Sequence, residues 1–175
     1  WIWLLAIAGF AAAGLVGWWL WGTPSVIESP LAWWGLLLGL YGSEWLVVTM
    51  RYGTRSYSFT MGGIALVVGL LAVAPVELLA VAALSTVVFA GSSRREPLVM
   101  LILLVSRRLL EAATALTVFR LAGSVSDPFG PTGWLVAMAA AVAAFTLGHS
   151  LFSLASSVQG HDTSLGEAVE AYGFG

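Results

Sequence analysis

Apolar runs long enough to cross a lipid bilayer recur along almost the whole chain, and each stops at a proline, a glycine or a cluster of arginines. A helix rises 1.5 Å per residue, so about 20 mostly apolar residues cover the ~30 Å hydrocarbon core. Six runs fit. They are Trp1 to Trp21, closed by Gly22-Thr23-Pro24; Leu31 to Met50, opened by Pro30; Phe59 to Ala74; Val76 to Gly91, set off from the third by Pro75; Pro97 to Gly123; and Gly133 to Ser157, after the turn DPFGPTG. The third and fourth are near the lower length limit, whereas the fifth is long enough to tilt or to carry a polar break. The expected fold is therefore all-α: a polytopic transmembrane helical bundle of about six spans over residues 1–160. Ser164-Leu165-Gly166-Glu167 reads as a capping box, so residues 161–175 are expected to be a tail or the start of a further helix, a seventh crossing or an amphipathic segment, near Leu165 and leading beyond Gly175.

Composition supports the same class. Apolar residues make up 59% of the chain and charged residues 9%, with a mean hydropathy of +0.95, against about 25% charged side chains in soluble domains. A cytosolic enzyme, a nucleic-acid binder and a disordered tail are all disfavoured. The net charge of −2 offers no basic patch for phosphates. With no Lys there is no Schiff-base photochemistry, and with no Cys there is no disulfide, thiolate metal site or cysteine nucleophile.

Orientation follows from the arginines. Arg51, Arg55, Arg94 and Arg95 fall in the loops after the second and fourth runs, while the loops after the first, third and fifth carry Glu28, Glu77 and Asp127. Basic loops stay in the cytoplasm, so both ends of the chain are expected there, in a multi-pass protein of the plasma membrane. Trp18, Trp19, Trp21, Trp33, Trp34 and Trp134 fall at the opposite ends of the runs, as an interfacial belt would. Gly9, Ala13 and Gly17 recur every four residues, as do Gly35 and Gly39. Such stripes let backbones approach closely, either within one bundle or across a homodimer.

Charges inside an apolar run cost energy and need a reason. Arg107 and Arg108 fall roughly 15 Å into the fifth run, and Glu111 follows at the i+4 and i+3 spacings that bring side chains together. Glu44 falls roughly 9 Å before the end of the second run and His149 roughly 12 Å before the end of the sixth. These depths overlap, so Glu44, Arg107, Arg108, Glu111 and His149 form a candidate intramembrane polar site, with Ser43, Ser106, Ser150 and Ser153 as hydrogen-bonding neighbours. Three readings stay open: interfacial arginines paired with Glu111, a buried structural ion pair, or a site responsive to a small molecule or proton. No catalytic constellation, metal-ligand spacing or cofactor motif accompanies it, so neither an enzyme, a metal nor a cofactor is expected of these residues.

Two segments carry a family resemblance. RSYSFTMGGIALVVGLLAVAP, Arg55 to Pro75, and RREPLVMLILLVSRRLLEAATALTVFRLAG, Arg94 to Gly123, resemble the multi-span N-terminal membrane region of actinobacterial proteins that carry GGDEF and EAL domains, which make and degrade cyclic di-GMP. The likeness covers under half the chain, and it departs at Gly63, Ala65 and the apolar residues near Val99 and Leu103, where that family has Glu, Pro, Lys and Phe-Asn. It implies an integral-membrane sensor or anchor domain that localises or controls a cytoplasmic signalling module. Two other classes fit the residues alone: a small-molecule permease or transporter subunit using the polar site, and a structural subunit of a membrane complex.

Overall fold

Runs rich in Leu, Ala and Val, cut by Pro and Gly, give six helices in the structure, a computed structural model that describes residues 2–25, 33–52, 55–60, 62–93, 98–122 and 130–158. They are α1 (Ile2–Trp19), α2 (Trp33–Trp45), α3 (Gly62–Ala72), α4 (Pro75–Ser93), α5 (Leu98–Leu121) and α6 (Pro131–Val158). α4 and α6 each open on a proline, whose missing N–H costs nothing in a first helical turn. α1 closes at Gly22, whose φ of 77° is the left-handed conformation that glycine adopts without strain. Beside it the Thr23 hydroxyl donates to the Leu20 carbonyl at 2.7 Å.

α5 is the axis of the molecule, with α1, α4 and α6 packed around it. α2 lies on α4 and α3, and α3 reaches α6. α5 turns Ala112, Ala115, Leu116 and Phe119 into the core, where they meet Leu40 of α2, Leu71 of α3 and Leu78 of α4 in one apolar cluster. α6 faces inward through Ala137, Ala140, Ala141 and Ala144, a small-residue stripe at helical spacing. α1 runs parallel to α5: Gly9 lies against the backbone of Ser106, and at the far end Arg120 Nη2 donates to the Pro24 carbonyl at 3.2 Å. Thus Gly9 and the buried Ala13 face α5 and the core of the same chain, and Gly17 meets Leu79 of α4. Gly39 faces open space and Gly35 is half-buried.

The expectation of an all-α chain needs correction between α2 and α3. There the chain forms an antiparallel hairpin, β1 (Val47–Tyr52) and β2 (Arg55–Thr60), in register from Val47 opposite Thr60 to Tyr52 opposite Arg55. The second run therefore ends as a helix at Trp45 rather than continuing to Met50. VVTMRY and RSYSFT are rich in β-branched and aromatic residues, which fit a pleated strand better than a helix. The third run likewise begins as a helix at Gly62, not Phe59. The hairpin packs against α2, with no packing of similar extent on α1, α4, α5 or α6 among the described residues. Among the described residues no third strand pairs with either of its outer edges. In an apolar medium each unpaired backbone group costs about 2–7 kcal/mol, whereas an apolar side chain left in water costs about 1.5–3 kcal/mol.

Two helical stretches, Pro75–Ser92 of α4 and Pro131–Leu151 of α6, are long and apolar enough to cross a membrane. Ala6–Trp19 and Gly62–Ala72 are apolar but shorter. α5 has the length, but Arg107, Arg108, Glu111 and Arg120 interrupt it. Residues 161–175, with the helix expected near Leu165, lie outside the described residues, as do Glu28, Arg94, Arg95 and Asp127.

Candidate functional site

Glu111 occupies the middle of α5, about 20 Å from its first residue, and is 2% exposed. Its helical spacing puts two arginines on the same face. Arg107 Nε donates to Glu111 Oε1 at 3.0 Å, and Arg108 Nη1 donates to Oε2 at 3.1 Å. Arg108 then reaches out of α5, pairing through Nη2 with Glu44 Oε1 on α2. The result is an alternating chain, Arg107, Glu111, Arg108, Glu44, with two positive and two negative groups and no net charge. Side-chain exposure is 33% at Arg107, reaches its minimum of 2% at Glu111, and rises again to 13% at Arg108 and 19% at Glu44.

Two helix ends meet this chain. Glu44 is the penultimate residue of α2, which corrects the expected depth of about two turns, because the chain leaves the helix for β1 directly afterwards. Gly62, the first residue of α3, faces the Arg108 guanidinium, with room for a Cβ only 3.0 Å from Nη2. α2 thus brings its negative end to Arg108 and α3 its positive end, so the two dipole effects on Arg108 oppose one another. The ion pairs to Glu111 and Glu44 are what hold the guanidinium there.

α6 closes the site with Gly148, not with His149. A Cβ at position 148 would lie 2.8 Å from Glu111 Cγ and Oε1. His149 is exposed, turned away from the layer it was expected to share. The inward stripe Ala137, Ala140, Ala141, Ala144 continues to Gly148 at i+4, and the next residue is rotated 100° off it. The serines also differ from expectation. Ser43 donates to the Leu40 carbonyl at 2.7 Å and Ser106 to the Leu103 carbonyl at 3.0 Å, each within its own helix. Ser150 is exposed, and the Ser153 side chain lies outside the described residues.

Comparison with family models, with curated proteins and with solved structures finds no match to this chain. The chemistry of the site is read from its geometry.

Among the described residues no group of three or more His, Asp or Glu is placed to hold a metal ion. Both Glu111 oxygens are engaged by arginine, so a cation would have to displace an existing partner there. Burying an ion network of this kind contributes little net stability, but removing one member leaves an uncompensated charge, at about 3–5 kcal/mol. Its physical effect is to hold α2, α5 and α6 in one arrangement. The missed elements, Gly148 and Gly62, are glycines whose signal was the small-residue stripe on α6 and the GG pair that opens α3.

Proposed function

We propose that this chain is an integral-membrane sensor or anchor domain of a signalling protein, a multi-pass bundle in the plasma membrane with the hairpin end on the cytoplasmic side. The observation that carries the reading is the closed chain of ion pairs from Glu44 on the short helix α2 through Arg108 to Glu111, with α6 seated on Glu111 through Gly148. A ligand that draws α2 away from Arg108 leaves Glu111 under α6 with altered compensation, so a local event at α2 becomes a shift of α6. Packed cores change between discrete arrangements rather than deforming continuously, which makes such a latch bistable. Arg51 and Arg55 in the hairpin support the cytoplasmic assignment through the positive-inside bias. With the charges of α5 paired inside the bundle, all six helices serve as crossings, α2 and α3 being the short ones. The module controlled is one that makes or degrades cyclic di-GMP, on the sequence resemblance.

The test has two parts. The protein should float with lipid vesicles and resist alkaline extraction. In cells carrying the full-length protein, Glu44→Gln should change cyclic di-GMP relative to wild type; levels indifferent both to the variant and to deletion of the gene would sink the signalling reading. A permease is the second reading, favoured by one observation: two short helices broken at an ionisable layer are how transporters build binding sites. Uptake lost in Arg108→Met, with cyclic di-GMP unchanged, would select it.

A further inference from the structure

α2 carries aromatic residues at both its ends. Trp33 and Trp34 are exposed at the start, and Trp45 is exposed at the finish. At the finish Trp45 packs edge-to-face on Phe89 of α4 at 5.9 Å, and Tyr41 packs on Phe89 at 6.4 Å, with the Tyr41 hydroxyl 3.2 Å from Ser92 Oγ. Between the two aromatic groups α2 offers Leu38, and α3, which packs on α2, offers Ile64, both exposed. Apolar surface bracketed by Trp and Tyr is how a helix meets hydrocarbon between two headgroup layers. Here the brackets are only about 17 Å apart along the axis, against a usual hydrocarbon core of about 30 Å.

The hairpin gives the same boundary independently. It begins two residues after α2 ends, neither of its strands pairs with a third among the described residues, and the main helix it packs on is α2. Open sheet edges are not tolerated in lipid-exposed hydrocarbon. The layer of Glu44, Arg108 and Gly62 is therefore the polar edge on this side. Elsewhere the bundle is longer. α5 runs about 15 Å beyond Arg108 toward its first residue, and the surface there is apolar, with Trp3, Leu4, Ile7 and Leu98 exposed.

We propose that the α2 and α3 face of the bundle holds the adjacent lipid bilayer thin, to a hydrocarbon span of roughly 17–20 Å, while the α1, α5 and α6 side meets bilayer of ordinary thickness. The partner of this face is the lipid itself, since its exposed surface is apolar and is bracketed by tryptophan at both ends. The proposal rests on the membrane reading above but not on any signalling role.

The absence of cysteine gives a clean background for the test. Single cysteines are placed along residues 33–60 and along α6, the protein is reconstituted in phosphatidylcholine vesicles, and labelling by a membrane-impermeant maleimide is scored from both sides. The expected result is reactive Thr49→Cys, Ser56→Cys and Ser58→Cys, a protected window of about 11 residues in α2, and one of about 18–20 residues in α6. Protection of the hairpin cysteines, or a window in α2 as long as that in α6, would overturn the thinning. So would disulfide cross-linking of Leu38→Cys between two copies, because a second chain and not lipid would then cover the face. A protein that does not float with the vesicles at all would instead refute the membrane reading.

Discussion

Gly148 lies so close to Glu111 that the smallest side chain would stand 2.8 Å from the Glu111 Cγ and Oε1. Glu111 cannot swing aside to make room, because Arg107 and Arg108 hold its two oxygens. Gly148→Ala is therefore expected to destabilise the protein by about 1–3 kcal/mol, as overpacking does, even though alanine is the better helix former by about 1 kcal/mol. Thermal unfolding in detergent checks the sign: a raised midpoint would show that Glu111 is free to move.

Gly9 and Gly14 make a paired comparison on one helix. A Cβ at Gly9 would run into the carbonyl of Ser106, backbone that has no rotamer to change, whereas a Cβ at Gly14 meets nothing within 4 Å. Gly14→Ala should gain about 0.5–1 kcal/mol through helix propensity alone. Gly9→Ala should lose more than Gly148→Ala does, because α1 must lift off α5. The two variants should thus move the unfolding midpoint in opposite directions.

The helices were legible in the sequence because proline and glycine bound them: Pro75 and Pro131 open α4 and α6, and Gly22 closes α1. The hairpin was not. Val47, Val48 and Met50 are apolar, so counting apolar residues added them to the second run, and their β-branched character carried too little weight. At the site, Arg107, Arg108 and Glu111 could be joined by spacing on one helix. The pairing of Glu44 is a tertiary contact that depth alone suggested. His149 was off by one residue, a 100° rotation that the stripe from Ala137 to Gly148 would have resolved. Composition carries no information on which side chains of a bundle face one another.

Phe89 joins α4 to the last turn of α2 through two edge-to-face contacts, with centroids 5.9 Å from Trp45 and 6.4 Å from Tyr41. Each such pair is worth about 0.5–1.5 kcal/mol beyond area burial. Phe89→Leu keeps most of the apolar volume and should cost about 1–2 kcal/mol, mainly by loosening α2. Limited proteolysis at the hairpin checks this: cleavage between α2 and α3 should quicken, while cleavage elsewhere stays at the wild-type rate.

The members of the ion network should differ in cost in an order set by burial and by the number of partners lost. Glu111→Leu leaves two guanidinium groups facing each other at a position 2% exposed and should be the worst, at about 3–5 kcal/mol. Arg108→Met frees Glu44 and one oxygen of Glu111, and should follow at about 3 kcal/mol. Arg107→Met should cost least, about 1 kcal/mol, because the side chain removed is 33% exposed and Glu111 keeps its pair to Arg108. Arg108→Met combined with Glu44→Leu should lose less than the two single variants added together, by at least about 1 kcal/mol, since the double variant leaves no orphaned carboxylate on α2. Detergent-titration unfolding of the four proteins measures this coupling, and strict additivity would mean that Glu44 and Arg108 do not act on each other.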